Sequence, residues 1–236
     1  MARLEICVDT IDGLRTAIRG GADRIELCSA LAIGGLSPSL ALLHAARESP
    51  IPVYVMVRPR AGGFLYSDAE LAGMEKEIAQ VRAFGLAGAV FGAGSSEGLA
   101  LDQLQRLCAA AGDLGKTLHR VVDLLPSRTA ILAPARDLSF ERILTSGGVR
   151  SAVDGLDDLR DLVHAAPSGL SIMPGSGVTP DNAAQILRHT GARELHASAG
   201  KPLAHAPKAE IDLGFSLTGV EQTCEHTVRA LKDKCR

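Results

Sequence analysis

Leu4-Glu5-Ile6-Cys7-Val8-Asp9-Thr10-Ile11-Asp12-Gly13-Leu14-Arg15-Thr16-Ala17-Ile18-Arg19-Gly20-Gly21-Ala22-Asp23-Arg24-Ile25-Glu26-Leu27-Cys28 reads as one strand–helix–strand unit. Leu4, Ile6 and Val8 alternate with Glu5 and Cys7, the period-two pattern of a strand. Helical spacing then runs from Asp12 to Arg19, with Thr10 in the capping position. A second alternating run spans Arg24 to Cys28. Two strands separated by a helix pair in parallel, because a parallel neighbour needs a crossover connection.

The same unit recurs along the chain. Strand-like runs follow at Val53 to Arg58, Ala87 to Gly92, Lys116 to Val121, Arg142 to Ser146, Leu170 to Pro174 and Glu194 to Ser198, giving eight in all. Helical segments are predicted at Ser39 to Glu48, Asp68 to Phe84, Asp102 to Ala111, Ser127 to Ala133, Gly155 to Ala165, Pro180 to His189 and Val220 to Lys234, with Ser67 and Thr179 as further caps. Gly21-Ala22-Asp23-Arg24-Ile25-Glu26-Leu27 is echoed by Gly191-Ala192-Arg193-Glu194-Leu195-His196, both at helix-to-strand joints. Eight βα units favour an α/β protein closed into a (β/α)₈ TIM barrel, residues 1–236 forming a single domain. A doubly wound open sheet ranks second, weakened because no G-x-G-x-x-G follows the first strand.

Composition narrows the function classes. The 236 residues carry 25 Lys+Arg against 27 Asp+Glu, a net charge of −2, which excludes a strongly basic nucleic-acid binder. Apolar residues make up 46% and charged residues 22%, the balance of a soluble globule. With 5 Phe, 2 Tyr and no Trp, the core must be aliphatic and stacking on bases has little to work with. No run of about 18 apolar residues offers a membrane span. Met1-Ala2-Arg3-Leu4-Glu5 lacks a charged leader with an apolar run, so a cytoplasmic protein is expected. The 5 cysteines, Cys7, Cys28, Cys108, Cys224 and Cys235, are odd in number and scattered, arguing against a disulfide framework or structural zinc site.

Strand parity predicts what faces the barrel interior. If Leu4, Ile6, Val8, Ile25, Leu27, Val53, Val55 and Val57 face the helices, then Glu5, Cys7, Arg24, Glu26, Cys28, Tyr54, Met56 and Arg58 face inward. Thr117 and His119 join them, as do Glu194, His196 and Ser198, while the sixth and seventh strands are ambiguous. Acids, bases and soft donors thus stand where packing alone would place Val, Ile and Leu. Mutual ion pairing, such as Glu26 with Arg58 or Arg24, is the plain reading; a site at the C-terminal mouth is the functional one.

Arg58-Pro59-Arg60 leads into Ala61-Gly62-Gly63-Phe64, a basic loop suited to a carboxylate or phosphate, or simply to ion pairs with Glu5 and Glu26. Thr145-Ser146-Gly147-Gly148, Pro174-Gly175-Ser176-Gly177 and Ala197-Ser198-Ala199-Gly200 supply backbone N–H groups for an anion, or ordinary turns. On this reading Arg58, Arg60, Ser146, Gly147, Gly148, Gly175, Gly177, His196 and Ser198 would bind a ligand. Glu5, Glu26, His119 and Asp123 are the candidate proton carriers. Cys7, Cys28 and Met56 lie inward on consecutive strands, where soft sulfur donors suit Cu(I) or merely pack as small hydrophobes. His164, His189, His205 and His226 fall at helix ends or on the surface and are assigned no role.

Leu4-Glu5-Ile6-Cys7, Gly21 to Cys28, Gly34-Gly35-Leu36-Ser37-Pro38-Ser39, Arg58-Pro59-Arg60, Tyr66-Ser67, His119-Arg120, Leu144-Thr145-Ser146-Gly147 and His196-Ala197-Ser198 together resemble the CutC copper homeostasis family. The resemblance runs from the first strand to the eighth. It implies a TIM barrel, a cytoplasmic setting, a homo-oligomer and Cu(I) binding through cysteine, with Cys7 and Cys28 at the matching positions. Where the family reads Arg-Pro-Arg-Gly-Gly-Asp-Phe, this chain has Gly63 in place of the acid. Two functions are therefore carried forward: a copper-homeostasis barrel binding a copper ion at Cys7 and Cys28, and a barrel enzyme acting by acid/base chemistry on a small anionic or phosphorylated metabolite.

Overall fold

The computed structural model describes residues 1–203, 208–214 and 219–236, so His205 lies outside the described residues. Strands β1 (Arg3–Val8), β2 (Arg24–Leu27), β3 (Val53–Met56), β4 (Gly88–Phe91), β5 (Gly115–Leu118), β6 (Arg142–Thr145), β7 (Ser171–Pro174) and β8 (Glu194–Ala197) form one parallel sheet. Its order is β8-β1-β2-β3-β4-β5-β6-β7, so each strand lies beside its neighbours in the chain. β7 packs beside β8 and nearly closes the cylinder. Helices α1 (Ile11–Gly20), α2 (Leu40–Ala46), α3 (Asp68–Ala83), α4 (Leu101–Ala111), α5 (Leu132–Asp137), α6 (Leu156–Ala165), α7 (Ala183–Thr190) and α8 (Glu225–Lys234) make the crossovers and the outer layer. This is the eight-unit TIM barrel read from the alternation.

The two parities of each strand belong to different cores. Leu4, Ile6, Val8, Ile25, Leu27, Val53, Val55, Phe91, Leu118, Ile143, Ile172 and Leu195 join the apolar layer between sheet and helices, with Leu14, Leu71, Met74, Ile78, Leu104 and Leu159 facing them from the helices. Each fully buried Leu or Ile contributes about 1.5–3 kcal/mol, which makes this layer the main source of stability. Ile143 and Ile172 facing outward resolves the sixth and seventh strands: Arg142, Leu144 and Met173 point inward. Inside the barrel, Cys28, Tyr54, Met56 and Val90 form a small separate apolar cluster on the β2–β4 side.

Local chemistry sets the element ends. Thr10 accepts from Gly13 N–H at 3.0 Å, and Ser67 with Glu70 makes a reciprocal capping box. The repeated Gly-Ala motif is a shared helix stop: Gly21 and Gly191 adopt φ of 95° and 71°, and their N–H groups close onto the preceding turn.

Several predicted bounds are corrected. Thr179 is not the cap of α7, which begins at Ala183; instead Asn182 Oδ1 accepts from Thr179 N–H at 2.8 Å. The fifth helical segment lies later than Ser127 to Ala133, because Pro134 sits in the first turn of α5, where a missing N–H costs nothing. The last helix begins at Glu225 rather than Val220. Glu221–Thr223 instead pairs antiparallel with Gly200–Pro202, a non-local contact that overrides helical spacing. Cys28, Arg58, His119, Ser146 and Ser198 fall just past their strands, at the rim where the βα loops begin.

Tyr54 crosses the floor of the lumen and donates to Glu141 Oε2 at 2.7 Å. Gly88 and Gly115 leave room for it: a Cβ on Gly88 would lie 2.2 Å from Tyr54 Cε1 and 2.5 Å from the Gly115 carbonyl oxygen. Since one of these neighbours is backbone, Gly88→Ala is expected to destabilise the fold by about 1–3 kcal/mol. Urea unfolding with an unchanged m-value and a lower midpoint is the expected result; an unchanged midpoint would show that the floor is loosely packed.

Candidate functional site

The lower lumen neutralises its own charges. Arg24 donates through Nε to Glu5, and through Nη2 to Glu194 Oε2 at 2.6 Å and Met173 Sδ at 3.1 Å. Arg142 meets Glu194 Oε2 at 3.1 Å and Thr117 Oγ1 at 3.0 Å, and pairs with Glu141 at 3.1 Å. Both guanidinium groups lie over the Tyr54 ring, at 5.4 and 4.5 Å from its centroid. Buried ions persist only when so compensated, and removing one member costs about 3–5 kcal/mol.

Directly above lies a second cluster. Pairing of β1 with β2 sets Cys7 beside Glu26, and pairing with β8 sets Glu5 beside His196. Ligand atoms of Cys7, Glu26 and His196, all buried, lie within 4.8 Å of one another. His196 Nδ1–H donates to Glu5 Oε1 at 2.8 Å, leaving Nε2 on the side of Glu26 Oε2, 3.9 Å away. Burial would raise the Glu5 carboxyl, but Arg24 and His196 overrule it and hold it at about 2. Burial would likewise strip the proton from His196; Cys7, Glu26 and Glu5 reverse that and hold its pKa well above the usual range. Glu26 is pushed upward, by burial first and then by Glu5, with His196 opposing, and its Oε1 has no hydrogen-bond partner. Burial raises both thiols: Cys7 donates to the Ala197 carbonyl at 3.7 Å, and Cys28 to Glu26 Oε2 at 3.4 Å. Cys28 thus joins the edge of the cluster, against Met56 under Gly35.

The remaining sequence-predicted residues divide around the rim. His119 and Asp123 do not form a pair. His119 Nδ1 accepts from Val121 N–H at 3.3 Å, and its ring packs on Phe64 at 4.9 Å between centroids. Asp123 accepts from Thr145 Oγ1 at 2.5 Å, Ser146 N–H at 3.1 Å, Gly148 N–H at 3.0 Å and Arg120 Nε at 2.7 Å. The donors that the Ser146-Gly147-Gly148 loop offers to an anion are therefore turned onto a carboxylate of the chain itself, with Gly147 N–H on Thr145 Oγ1 at 3.0 Å. Gly175 N–H is used by the Thr145 carbonyl at 3.0 Å. Gly177 and Ser198 are exposed beyond the strand ends. Arg60 is pinned by Glu70 and by the carbonyls of Gly63 and Leu65, both at 2.9 Å. Arg58 is buried and reaches the carbonyls of Ile33 and Gly35 at 3.0 and 3.1 Å.

Sequence reading missed the role of Arg142, whose strand parity was unreadable, and the ring of Phe64 packed against both Arg58 and His119. It placed His196 among anion-binding residues; the β1–β8 pairing places it against Cys7 and Glu26. The one available signal was its inward parity on the eighth strand.

The family model described as the CutC family matches residues 2–201. A CutC family protein of Caulobacter vibrioides is 46% identical over 228 residues, covering 95% of this chain and 93% of the relative. The human copper homeostasis protein cutC homolog is 43% identical over 229 residues, covering 95% and 84%. The crystal structure of the putative copper homeostasis protein CutC from Streptococcus agalactiae superposes with a TM-score of 0.80 at 29% identity, covering 84% of this chain and 99% of that one.

Burial, with Arg58 adding to it, lowers the His119 pKa from an ordinary 6.5 to about 4. The unfolded chain therefore takes up a proton as pH falls through 6.5 while the folded chain takes it up only near 4. Stability contributed by this residue is intact above pH 6.5 and declines between the two values, by about 3 kcal/mol at the lower end. The expected NMR result is a His119 ring that does not titrate until near pH 4, with a shallower acid loss of stability in His119→Gln. A ring titrating near 6.5 would refute the burial argument.

Proposed function

The chain belongs to the CutC family, and from that premise we propose that it handles copper by binding Cu(I) between β1, β2 and β8. The observation that carries this reading is the Glu5–His196–Cys7 arrangement. A carboxylate on one imidazole nitrogen leaves the other for a metal, the usual outer support of a ligating histidine. Cys7 and His196 supply thiolate and imidazole donors, Cys28 a second sulfur at the edge, and the unpartnered Glu26 Oε1 a further acceptor. Soft sulfur with imidazole is a donor set that suits Cu(I). Metal binding requires the Cys7 thiolate and a neutral His196 ring, so Cu(I) would displace the Cys7 proton and the proton that the surrounding acids hold on His196 Nε2, with Glu26 placed to relay them.

Among the described residues no helix is long and apolar enough to cross a membrane, and all five cysteines are free thiols. Free thiols suit a reducing compartment, and the cytoplasm is the setting we assign. Exposed Leu40, Leu65, Leu101 and Leu124 on the loop side of the barrel suit the homo-oligomer that the family resemblance implies.

A second reading, a barrel enzyme acting by acid/base chemistry on a small anionic metabolite, is favoured by the same buried arrangement, since His196, held protonated by its acidic neighbours, stands beside Glu26, whose carboxyl is pushed upward, as an acid and a base for proton transfer. Thermal-shift screening separates it. A ligand at 100 times its dissociation constant adds about 2.7 kcal/mol, and no shift across a library of small carboxylates and phosphorylated metabolites would leave the copper reading alone.

Copper binding is checked by anaerobic competition of the reduced protein with a chromogenic Cu(I) chelator. The expected result is uptake of about one ion per chain, weakened about 10- to 100-fold in Glu5→Gln through loss of histidine support. Cys7→Ser combined with Cys28→Ser is expected to abolish uptake; unchanged stoichiometry in that double variant would eliminate the site.

A further inference from the structure

Three arginines are buried among the described residues. Arg24 and Arg142 are paired with glutamates, whereas Arg58, at 7% exposure, has no carboxylate within 4.0 Å among the described residues. Its Nη atoms bond only to neutral carbonyls, those of Ile33, Gly35 and Gly62 at 3.0–3.2 Å, and its buried Nε has no partner. These carbonyls fix the guanidinium in place, holding the loops after β2 and β3 together, but leave its charge uncompensated. An unpaired buried charge and an unused buried donor are both costly.

A second donor stands beside it. Because His119 Nδ1 accepts the Val121 N–H, the proton of the neutral ring is on Nε2. That Nε2 is also buried and without a partner. Arg58 and His119 pack on the same ring: the guanidinium carbon lies 5.0 Å from the Phe64 centroid and the imidazole 4.9 Å. Two buried donors, one cationic and one neutral, therefore flank an aromatic wall at the C-terminal rim.

We infer that Arg58 and His119, on the β3–β5 side of the mouth, form a binding site for the carboxylate group of a small organic acid, with Phe64 against its carbon skeleton. Charge decides between carboxylate and phosphoryl. Arg60 is matched by Glu70 and Arg120 by Asp123, and the N–H groups of Ser146 and Gly148 are also taken by Asp123. Of Arg58, Arg60 and Arg120, only Arg58 lacks a carboxylate partner among the described residues, and its single charge balances a carboxylate but leaves a doubly charged phosphate half-compensated. The site shares no residue with Cys7, Glu26 and His196, so its success or failure is independent of copper binding.

The test follows the His119 Nε2–H and Arg58 Nε–H resonances of the ¹⁵N-labelled full chain during titration with acetate, with chloride at matched ionic strength as reference and inorganic phosphate in a parallel titration. The expected result is saturable movement of both signals with acetate in the millimolar range, and none with chloride. Arg58→Lys keeps the charge but removes the Nε–H, and His119→Gln removes the ring. Each is expected to weaken acetate binding about tenfold or more, read from the remaining partner's resonance. Acetate acting no differently from chloride, phosphate saturating where acetate does not, or acetate binding surviving unchanged in both variants would each overturn the assignment.

Discussion

Arg24 lies between Glu5 and Glu194 inside a sheet whose interior would otherwise be filled by aliphatic side chains, and much of the molecule answers to that placement. A guanidinium at this depth is tolerable only with acids on both sides, and those acids come from β1 and β8, the first and last strands of the barrel, which pair in parallel. Arg142 extends the chain of charges from Glu194 to Glu141, and the Tyr54 ring underlies both cations. The outer apolar layer makes the barrel stable; this inner network determines which polar groups can stand above it.

Glu5 links the two levels. One carboxylate oxygen accepts from Arg24 below, and the other accepts from His196 Nδ1–H above. Fixing the imidazole this way turns its other nitrogen toward Cys7 and Glu26 without any loop contribution, so the cluster rests on strands, the most rigid elements of the fold. Glu26 differs from Glu5 because no arginine bonds to it, and burial therefore dominates its proton affinity. Two glutamates on adjacent strands acquire opposite character from their neighbours alone.

Around the rim the structure separates groups that look alike in the sequence. Asp123 occupies the donors of the Ser146-Gly147-Gly148 loop, making that turn a closed internal anion site. Arg60 closes onto Glu70 at the start of α3, where an acid also favours the helix dipole. Arg58 is held by carbonyls, which orient a cation without neutralising it.

Eight strands, the parity of the first three, the fifth and the eighth, and the polar lumen were legible in the sequence because alternation within a strand is a local property: Leu4, Ile6 and Val8 must face opposite to Glu5 and Cys7 whatever the rest of the chain does. The repeated Gly-Ala joint and the Thr10 and Ser67 caps were readable for the same reason. Apolar residues at both parities of the sixth strand hid Arg142, and antiparallel pairing of Glu221–Thr223 with Gly200–Pro202 displaced the start of the last helix. The partnership of His196 with Cys7 and Glu5, the capture of Asp123 by the Ser146 loop and the stacking of Phe64 on Arg58 and His119 belong to the tertiary structure alone. Each depends on how strands distant in sequence are set side by side and staggered. Residue spacing along the chain carries no record of that register.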